Sequence, residues 1–185
     1  MTTSARRANK YHPAIVLLHW TLAWFIVASL AFGFFVLAPM PGTDPRKLDM
    51  LQWHMGLGMA IAAAMLVRLV VRWRSARPAP AGLGTRASAR AAGVAHVAFY
   101  VLVFGMVASG YATGLLARLN DIVWARSGAP LPATFDAYPT FHLHGWIAAL
   151  LALLIALHVA GALWHWLGRH DGVMRRMGLG GRRVE

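Results

Sequence analysis

Four long apolar stretches alternate with shorter polar ones along the chain, at about residues 14–38, 50–73, 93–116 and 141–167. Each is longer than the roughly 20 mostly apolar residues that an α-helix needs to cross a bilayer. Because lipid offers no partner to an unpaired backbone group, each stretch is expected to be helical. The pattern predicts an all-α membrane protein, a bundle of four transmembrane helices.

The first stretch is not expected to be a cleavable signal peptide. Its apolar run exceeds the roughly 7 to 15 residues of a signal core, and it contains His19. The segments between the stretches, a Pro/Gly/Ala/Ser/Arg linker at 74–92 and a longer one at about 117–140, do not have the pattern of separate domains. We therefore expect a single integral-membrane domain over residues 1–185.

Composition agrees with a membrane protein and narrows its chemistry. Hydrophobic residues make up 58% of the 185 residues and charged residues 13%, which is unusually apolar for a soluble domain. Cysteine is absent, which excludes disulfides, iron-sulfur clusters, thiolate metal sites and covalently attached c-type haem. A bound metal must therefore be held by histidine or by oxygen.

The net charge of +12 lies on one side of the predicted bundle. Four basic residues on the other side are balanced by four aspartates. By the positive-inside rule, both termini and the 74–92 loop are predicted to be cytoplasmic, so the charge reports topology and no nucleic-acid partner is expected. The fourteen basic residues on the cytoplasmic side are Arg6, Arg7, Lys10, Arg68, Arg72, Arg74, Arg77, Arg86, Arg90, Arg169, Arg175, Arg176, Arg182 and Arg183.

Four histidines lie well within the predicted helices: His19, His54, His144 and His158. His144 and His158 are 14 residues apart, which is about 40° short of four turns and a rise of about 21 Å, so they share a face at two depths. Depth along the helices then matches His19 with His158 towards the inner side and His54 with His144 towards the outer side. His142 lies about 160° around the helix from His158 and is assigned only to the interface.

Two facing imidazoles at one depth are what a six-coordinate b-type haem requires, so the two pairs predict two haem b groups. Small residues one turn from the histidines, such as Ala23, Gly58 and Ala148, leave room for a porphyrin. Each histidine taken singly is equally explained as a hydrogen-bonded core side chain. Zinc binding or a proton relay would need carboxylates, which the predicted helices lack.

Three further polar positions extend the predicted site towards the inner side. Arg68 follows His54 by 14 residues and is expected at the level of His158, where it either pairs with haem propionates or extends to the cytoplasmic surface. His96, Tyr100 and His165 either form a pocket for a quinone headgroup and its protons or lie among lipid headgroups.

These motifs together resemble the bacterial cytochrome b561 family, most closely its short four-helix members, which include superoxide oxidase. The resemblance covers nearly the whole chain: LLHW around His19, WHMG around His54 followed by VRLVVRW, AHVAFY around His96, and HGW through LHVAGALWH. It implies that His19, His54, His144 and His158 are haem ligands. The sequence departs from the family pattern at Gly93 and Trp166, where histidines are expected.

The resemblance implies electron transfer across the bacterial inner membrane between a periplasmic-side donor and ubiquinone. If the donor is superoxide, as in superoxide oxidase, the protein is a superoxide:ubiquinone oxidoreductase, and Arg46, Lys47, Arg118 and Arg126 are candidates for drawing in the anion. The alternative is a haem-bearing membrane anchor that connects a hydrogenase, a formate dehydrogenase or a periplasmic redox protein to the quinone pool. In that case the 117–140 segment with Trp124 is a candidate docking surface.

Overall fold

The computed structural model describes residues 11–75, 86–169 and 174–178, and the predicted four-helix membrane architecture is confirmed. The long helices are α1 (Pro13–Phe32), α2 (Lys47–Arg74), α3 (Arg86–Leu116) and α4 (Pro139–Leu163). All four contain stretches long and apolar enough to cross a membrane. No β-strand occurs in the described residues.

The helices begin and end a few residues from the predicted limits, for identifiable reasons. The backbone continues beyond α1 and α4 as π-helical turns, Gly33–Leu37 and Trp164–Arg169, which lengthen both apolar spans. At the start of α1, the His12 imidazole accepts a hydrogen bond from the Ala14 amide at 3.2 Å. Helix α3 starts seven residues before the predicted apolar stretch, because residues 86–92 are polar overall but rich in alanine and arginine, which favour helix.

A small apolar core lies at the centre of the bundle. Its buried side chains come from all four helices: Leu22, Ile61, Met65, Val103 and Leu151. Leu151 is seven residues from His144 and seven from His158, so the core lies between the two histidine levels. Helix α3 packs mainly against α4, and α1 mainly against α2.

The segment between α3 and α4 forms a packed cap over the start of α2. Its buried residues Ala117, Leu119 and Val123 contact apolar side chains of α2. Arg126 fastens the cap by an ion pair to Asp49 at 2.8 Å. The backbone of Arg118 (φ 55°) and of Arg126 (φ 52°) is left-handed, a conformation that costs a non-glycine residue on the order of 1 kcal/mol. The segment at 117–140 is therefore a folded element and not an unstructured connection.

Tryptophans mark both ends of the bundle. Trp53 and Trp146, near one end, are each 72% exposed, and Trp73 and Trp164, near the other, are 73% and 66% exposed. Exposed tryptophans in two bands are typical of the two membrane–water interfaces. On α2 and α4, which carry a tryptophan in each band, the bands indicate the depth of the helix.

The two ends keep the names given by the charge pattern: the outer end carries the cap, and the inner end carries the end of α2 and the start of α3. Arg6, Arg7, Lys10, Arg77, Arg182 and Arg183, on which much of the predicted orientation depends, lie outside the described residues. At the inner end, the Trp20 indole N–H donates to the carbonyl of Met177 at 2.8 Å, which fastens the short C-terminal turn Met174–Met177 to α1. The cytoplasmic location of the termini stays a prediction.

Candidate functional site

The outer pair joins α2 to α4. The ring centroids of His54 and His144 are 6.2 Å apart and the ring planes are inclined by 78°. Both imidazoles are half-buried. Phe32, the last residue of α1, stacks on His54 with a centroid distance of 6.4 Å. Three helices therefore meet at this level.

The inner pair joins α1 to α4. The ring centroids of His19 and His158 are also 6.2 Å apart, with the planes inclined by 69°. His19 is half-buried, whereas His158 is exposed. Phe99 of α3 meets the His158 ring edge-to-face at 5.3 Å. The two combinations predicted from depth along the helices are thus the two that the structure brings together.

The spacing within each pair suits a metal ion between the rings. A metal–nitrogen bond is about 2 Å long, and the centre of an imidazole lies about 1 Å beyond its nitrogen, so two rings on opposite sides of one ion have centres about 6 Å apart. Both observed distances have this value. No group of three or more His, Cys, Asp or Glu side chains able to hold a bare metal ion occurs in the described part of the chain. A two-nitrogen site instead fits a metal whose remaining ligands come from a cofactor such as a porphyrin.

The His144 ring is held in one tautomer. Its Nδ1 lies 3.0 Å from the carbonyl oxygen of Met106 and 3.1 Å from Oγ of Ser109. A carbonyl only accepts hydrogen bonds, so Nδ1 carries the proton and Nε2 keeps its lone pair. The Ser109 hydroxyl itself donates to the Met106 carbonyl at 3.1 Å. A second ring nitrogen fixed in this way is the usual arrangement around a metal-binding histidine.

Glycine lets α3 approach the same ring. A Cβ atom added to Gly110 would lie 3.0 Å from Cε1 and 3.2 Å from Nδ1 of His144, closer than side chains normally pack. Met106, Ser109 and Gly110 therefore form a cradle on α3 for the His144 imidazole. Helix α3 carries neither member of either histidine pair, yet it contacts both α4 histidines.

The His54 ring has a different environment from its partner. Its Nδ1 is buried and has no hydrogen-bond partner among the described residues. Buried polar groups are nearly always satisfied, and an orphan needs an explanation. Its Nδ1 therefore differs from that of His144, which has two polar neighbours.

Arg68 lies at the inner pair, as its spacing from His54 predicts. Its Nη1 atom is 3.4 Å from Nδ1 of His19, and the side chain is half-buried. A guanidinium at this position is within the bundle, beside the histidines, and does not extend freely to the surface. Arg68 therefore lies beside the inner pair, and its pairing with haem propionates stays a prediction.

The quinone-pocket candidates are only partly brought together. His96 is half-buried and close enough to His158, Arg68 and Arg72 to interact with them electrostatically. Tyr100, one turn further along α3, has a buried hydroxyl without a hydrogen-bond partner among the described residues. His165 lies in the π-helical turn after α4, so α-helical spacing no longer fixes its angle to His158.

Each of the four outer cations is engaged locally. Arg46 bonds to Asp44 at 2.9 Å, Arg118 to Asp121 at 3.0 Å and Arg126 to Asp49 at 2.8 Å. Lys47 donates to the carbonyl of Met40. The hydrogen bond from the Arg46 side chain also lowers the pKa of the Asp44 carboxyl, so this aspartate stays charged and keeps its arginine neutralised.

The contributions of α3 were missed in the sequence. Gly110 stands out only as a small residue suited to helix packing, and Ser109 precedes it without any motif. A main-chain acceptor such as the Met106 carbonyl leaves no signal in a sequence. These residues are recognisable only once the rotation of α3 against α4 is known.

The chain is similar in sequence to known proteins of one family. A family model described as prokaryotic cytochrome b561 matches residues 10–180. A relative named cytochrome b561 homolog 2, from Escherichia coli (strain K12), is 27% identical over 168 residues, which cover 86% of this chain and 86% of the relative.

Proposed function

The chain belongs to the prokaryotic cytochrome b561 family and is therefore a multi-pass bacterial membrane protein that transfers electrons with haem b; from this premise we propose that it carries two haems, held by His19 with His158 and by His54 with His144. The proposed path runs across the inner membrane, from a donor on the periplasmic side to ubiquinone. The protein is then an oxidoreductase of the superoxide:ubiquinone type.

One observation carries the proposal of two haems: both histidine pairs have the same 6.2 Å centroid spacing. Bound haem supplies a reversible one-electron carrier at each level. The residues around it fix its position and electronics. His144 presents Nε2 from a ring that α3 holds in place, and Arg68 offers two or more N–H donors for propionate oxygens at the inner level.

The proposed overall reaction balances with a one-electron donor outside and a two-electron acceptor inside. Two superoxide anions each lose one electron and leave as dioxygen. Ubiquinone takes up the two electrons and two protons and becomes ubiquinol. His96 and Tyr100, in the inner half of α3, have side chains that can donate hydrogen bonds to a quinone carbonyl and pass protons to it.

The outer cations do not support long-range attraction of the superoxide anion. Each is neutralised or satisfied by a neighbour, so the outer end has little net positive field. The proposal for superoxide therefore depends on the position of the outer pair and not on charge.

Purified protein is expected to contain two haems per chain, with Soret and α bands that sharpen on reduction. In membranes, superoxide is expected to reduce ubiquinone faster than the spontaneous reaction does. Haem quantitation and quinol formation, with superoxide generated enzymatically, measure these results. The natural control is the same membrane without the protein. Fewer than two haems contradicts the paired sites, and quinol formation no faster than in the control excludes superoxide as donor.

The proposed quinone pocket has its own test. Replacing His96 by alanine is expected to slow quinone reduction about a hundredfold, the lower end of what one positioned proton donor contributes, with both haems retained. His165→Ala is the second variant, and His142→Ala at the opposite end is the matched control. Rates measured with a soluble quinone analogue that stay unchanged in both variants would remove the pocket.

The anchor alternative is favoured by one observation at the cap. Trp124 is 48% exposed, although the far edge of its ring packs near Gly56 of α2. A half-exposed tryptophan on a folded cap is a suitable contact for a soluble redox subunit. Isolation of the protein in a stable complex with a hydrogenase, a dehydrogenase or a periplasmic electron carrier would favour this function over the free-standing enzyme.

A further inference from the structure

The two histidine pairs have unlike electrical surroundings. The inner pair has the guanidinium of Arg68 at 3.4 Å from Nδ1 of His19. The outer pair is contacted by neutral groups, the Ser109 hydroxyl, the Met106 carbonyl and the Phe32 ring. In the part of the chain that the structure describes, no cationic side chain hydrogen-bonds to His54 or His144.

At the outer pair the contact with α3 strengthens a ligand. The N–H of His144 points at a carbonyl oxygen, whose partial negative charge makes the imidazole a better electron donor. A stronger donor stabilises ferric iron more than ferrous iron and so lowers the reduction potential. The corresponding contact of α3 with the inner ligand His158 is the edge of Phe99, an apolar contact.

At the inner pair the fixed positive charge of Arg68 acts in the opposite direction and raises the reduction potential. The guanidinium is always protonated. Reduction removes one positive charge from the iron, so a neighbouring cation stabilises the reduced form, and it does so strongly where the surroundings are apolar. The sign is the same if Arg68 pairs with a propionate, because the pairing cancels a negative charge that would otherwise oppose reduction.

From these contacts we infer that Arg68 on the inner side, with the Met106 carbonyl and Ser109 on the outer side, places the reduction potential of the inner haem above that of the outer haem. This inference depends on the proposed pair of haems and adds a direction to it. An electron that leaves the outer haem for the inner haem moves downhill, from the donor side towards the quinone side.

The test is a redox titration of the complete haem-loaded protein. In the wild type, the haem with the higher potential is expected to be the one held by His158. Variants that retain a single haem, His144→Ala for the inner and His158→Ala for the outer, assign the two transitions. Transitions that coincide, or that occur in the reverse order, overturn the inference.

Arg68→Gln is expected to lower the equilibrium constant for reduction of the inner haem about tenfold, which corresponds to about 59 mV for one electron. The outer haem is expected to change less than twofold. Arg68→Lys keeps the charge and is expected to stay close to the wild type. Arg72→Gln is the matched control, because it removes one arginine from the same helix a turn further inward; an equal shift in that variant would contradict the assignment to Arg68.

Haem content distinguishes a failure of the proposed function from a failure of this inference. A wild type with fewer than two haems contradicts the proposed function. Two haems whose potentials do not respond to Arg68→Gln leave the function standing and overturn the inference alone. If Arg68→Gln loses the inner haem, the order of the two wild-type potentials and the value in Arg68→Lys decide the question.

Discussion

Replacing His144 by alanine is expected to leave the purified protein with one haem b per chain in place of two. The outer pair would keep only His54, whose ring alone cannot close a six-coordinate site. The inner pair, about 21 Å away along α4, is expected to retain its haem and its reversible bands. His158→Ala is expected to give the complementary result, with loss of the inner haem alone.

The control for this experiment is His142→Ala. His142 is exposed, bonds through Nε2 to the carbonyl of Asp136 at 2.9 Å, and lies only two residues from His144. It is expected to retain two haems. Haem quantitation against protein concentration decides the outcome. Full pigment in either His144→Ala or His158→Ala would show that iron is held elsewhere and would end the two-haem proposal.

The second large effect is expected at a residue that is not a ligand. Gly110→Val is expected to remove most of the outer haem, because even a Cβ atom at this position lies 3.0 Å from the His144 ring. The ring or α3 must give way, which disturbs the hydrogen bond between the ring and the Met106 carbonyl and the placement of the ring opposite His54. The expected result is about half of the wild-type haem content, since a displacement on the order of 1 Å is enough to disable a preorganised site.

Gly145→Val is the matched control for Gly110→Val. Gly145 is the neighbour of His144 in sequence, is exposed, and a Cβ atom added to it would meet no atom within 4 Å beyond its two chain neighbours and the nearby backbone of its own helix. It is expected to keep both haems. Haem content and the position of the α band compare the two variants. If Gly110→Val binds two haems with an unchanged spectrum, α3 does not position His144.

The sequence predicts the four helices because two constraints apply to every membrane-spanning segment. The bilayer sets a minimum apolar length, and the backbone N–H and C=O groups must form their hydrogen bonds within the segment. The same regularity brings out the histidine pairs, since 14 residues on one helix return to nearly the same face. Depth along each helix, read from the ends of the apolar stretches, is then enough to choose partners.

The rotation of α3 is not predictable in the same way. Its membrane part is apolar on all sides, with Val97, Val101 and Leu115 exposed and Val103 buried, so hydrophobic periodicity does not mark the face that meets α4. Small residues permit close approach on any side. The cradle around His144 depends on that rotation, which is why Ser109 and Gly110 went unrecognised.

The cap shows a second limit of prediction from the sequence. Its prolines predict an interruption of helix, but its buried and partly buried apolar side chains are scattered over residues 117–138 and pack with side chains of α2. Such packing depends on the closure of a particular loop and not on a repeating pattern. The left-handed backbone at Arg118 and Arg126 has no sequence signal, because glycine would be the expected residue there.

The tryptophan bands show how far His54 and His158 lie from the two ends of the bundle. Trp53 and Trp73 are separated by a rise of about 30 Å, the thickness of a hydrocarbon layer. His54 follows Trp53 of the outer band directly. A small reactant dissolved in water would therefore cross very little of the hydrocarbon layer to come near it. His158 lies six residues short of Trp164, about 9 Å inside the opposite boundary, a depth suited to a reactant that arrives dissolved in the acyl chains. Under the proposed two-haem arrangement, the depth of His158 would favour a lipid-soluble reactant on the α4 side of the inner pair.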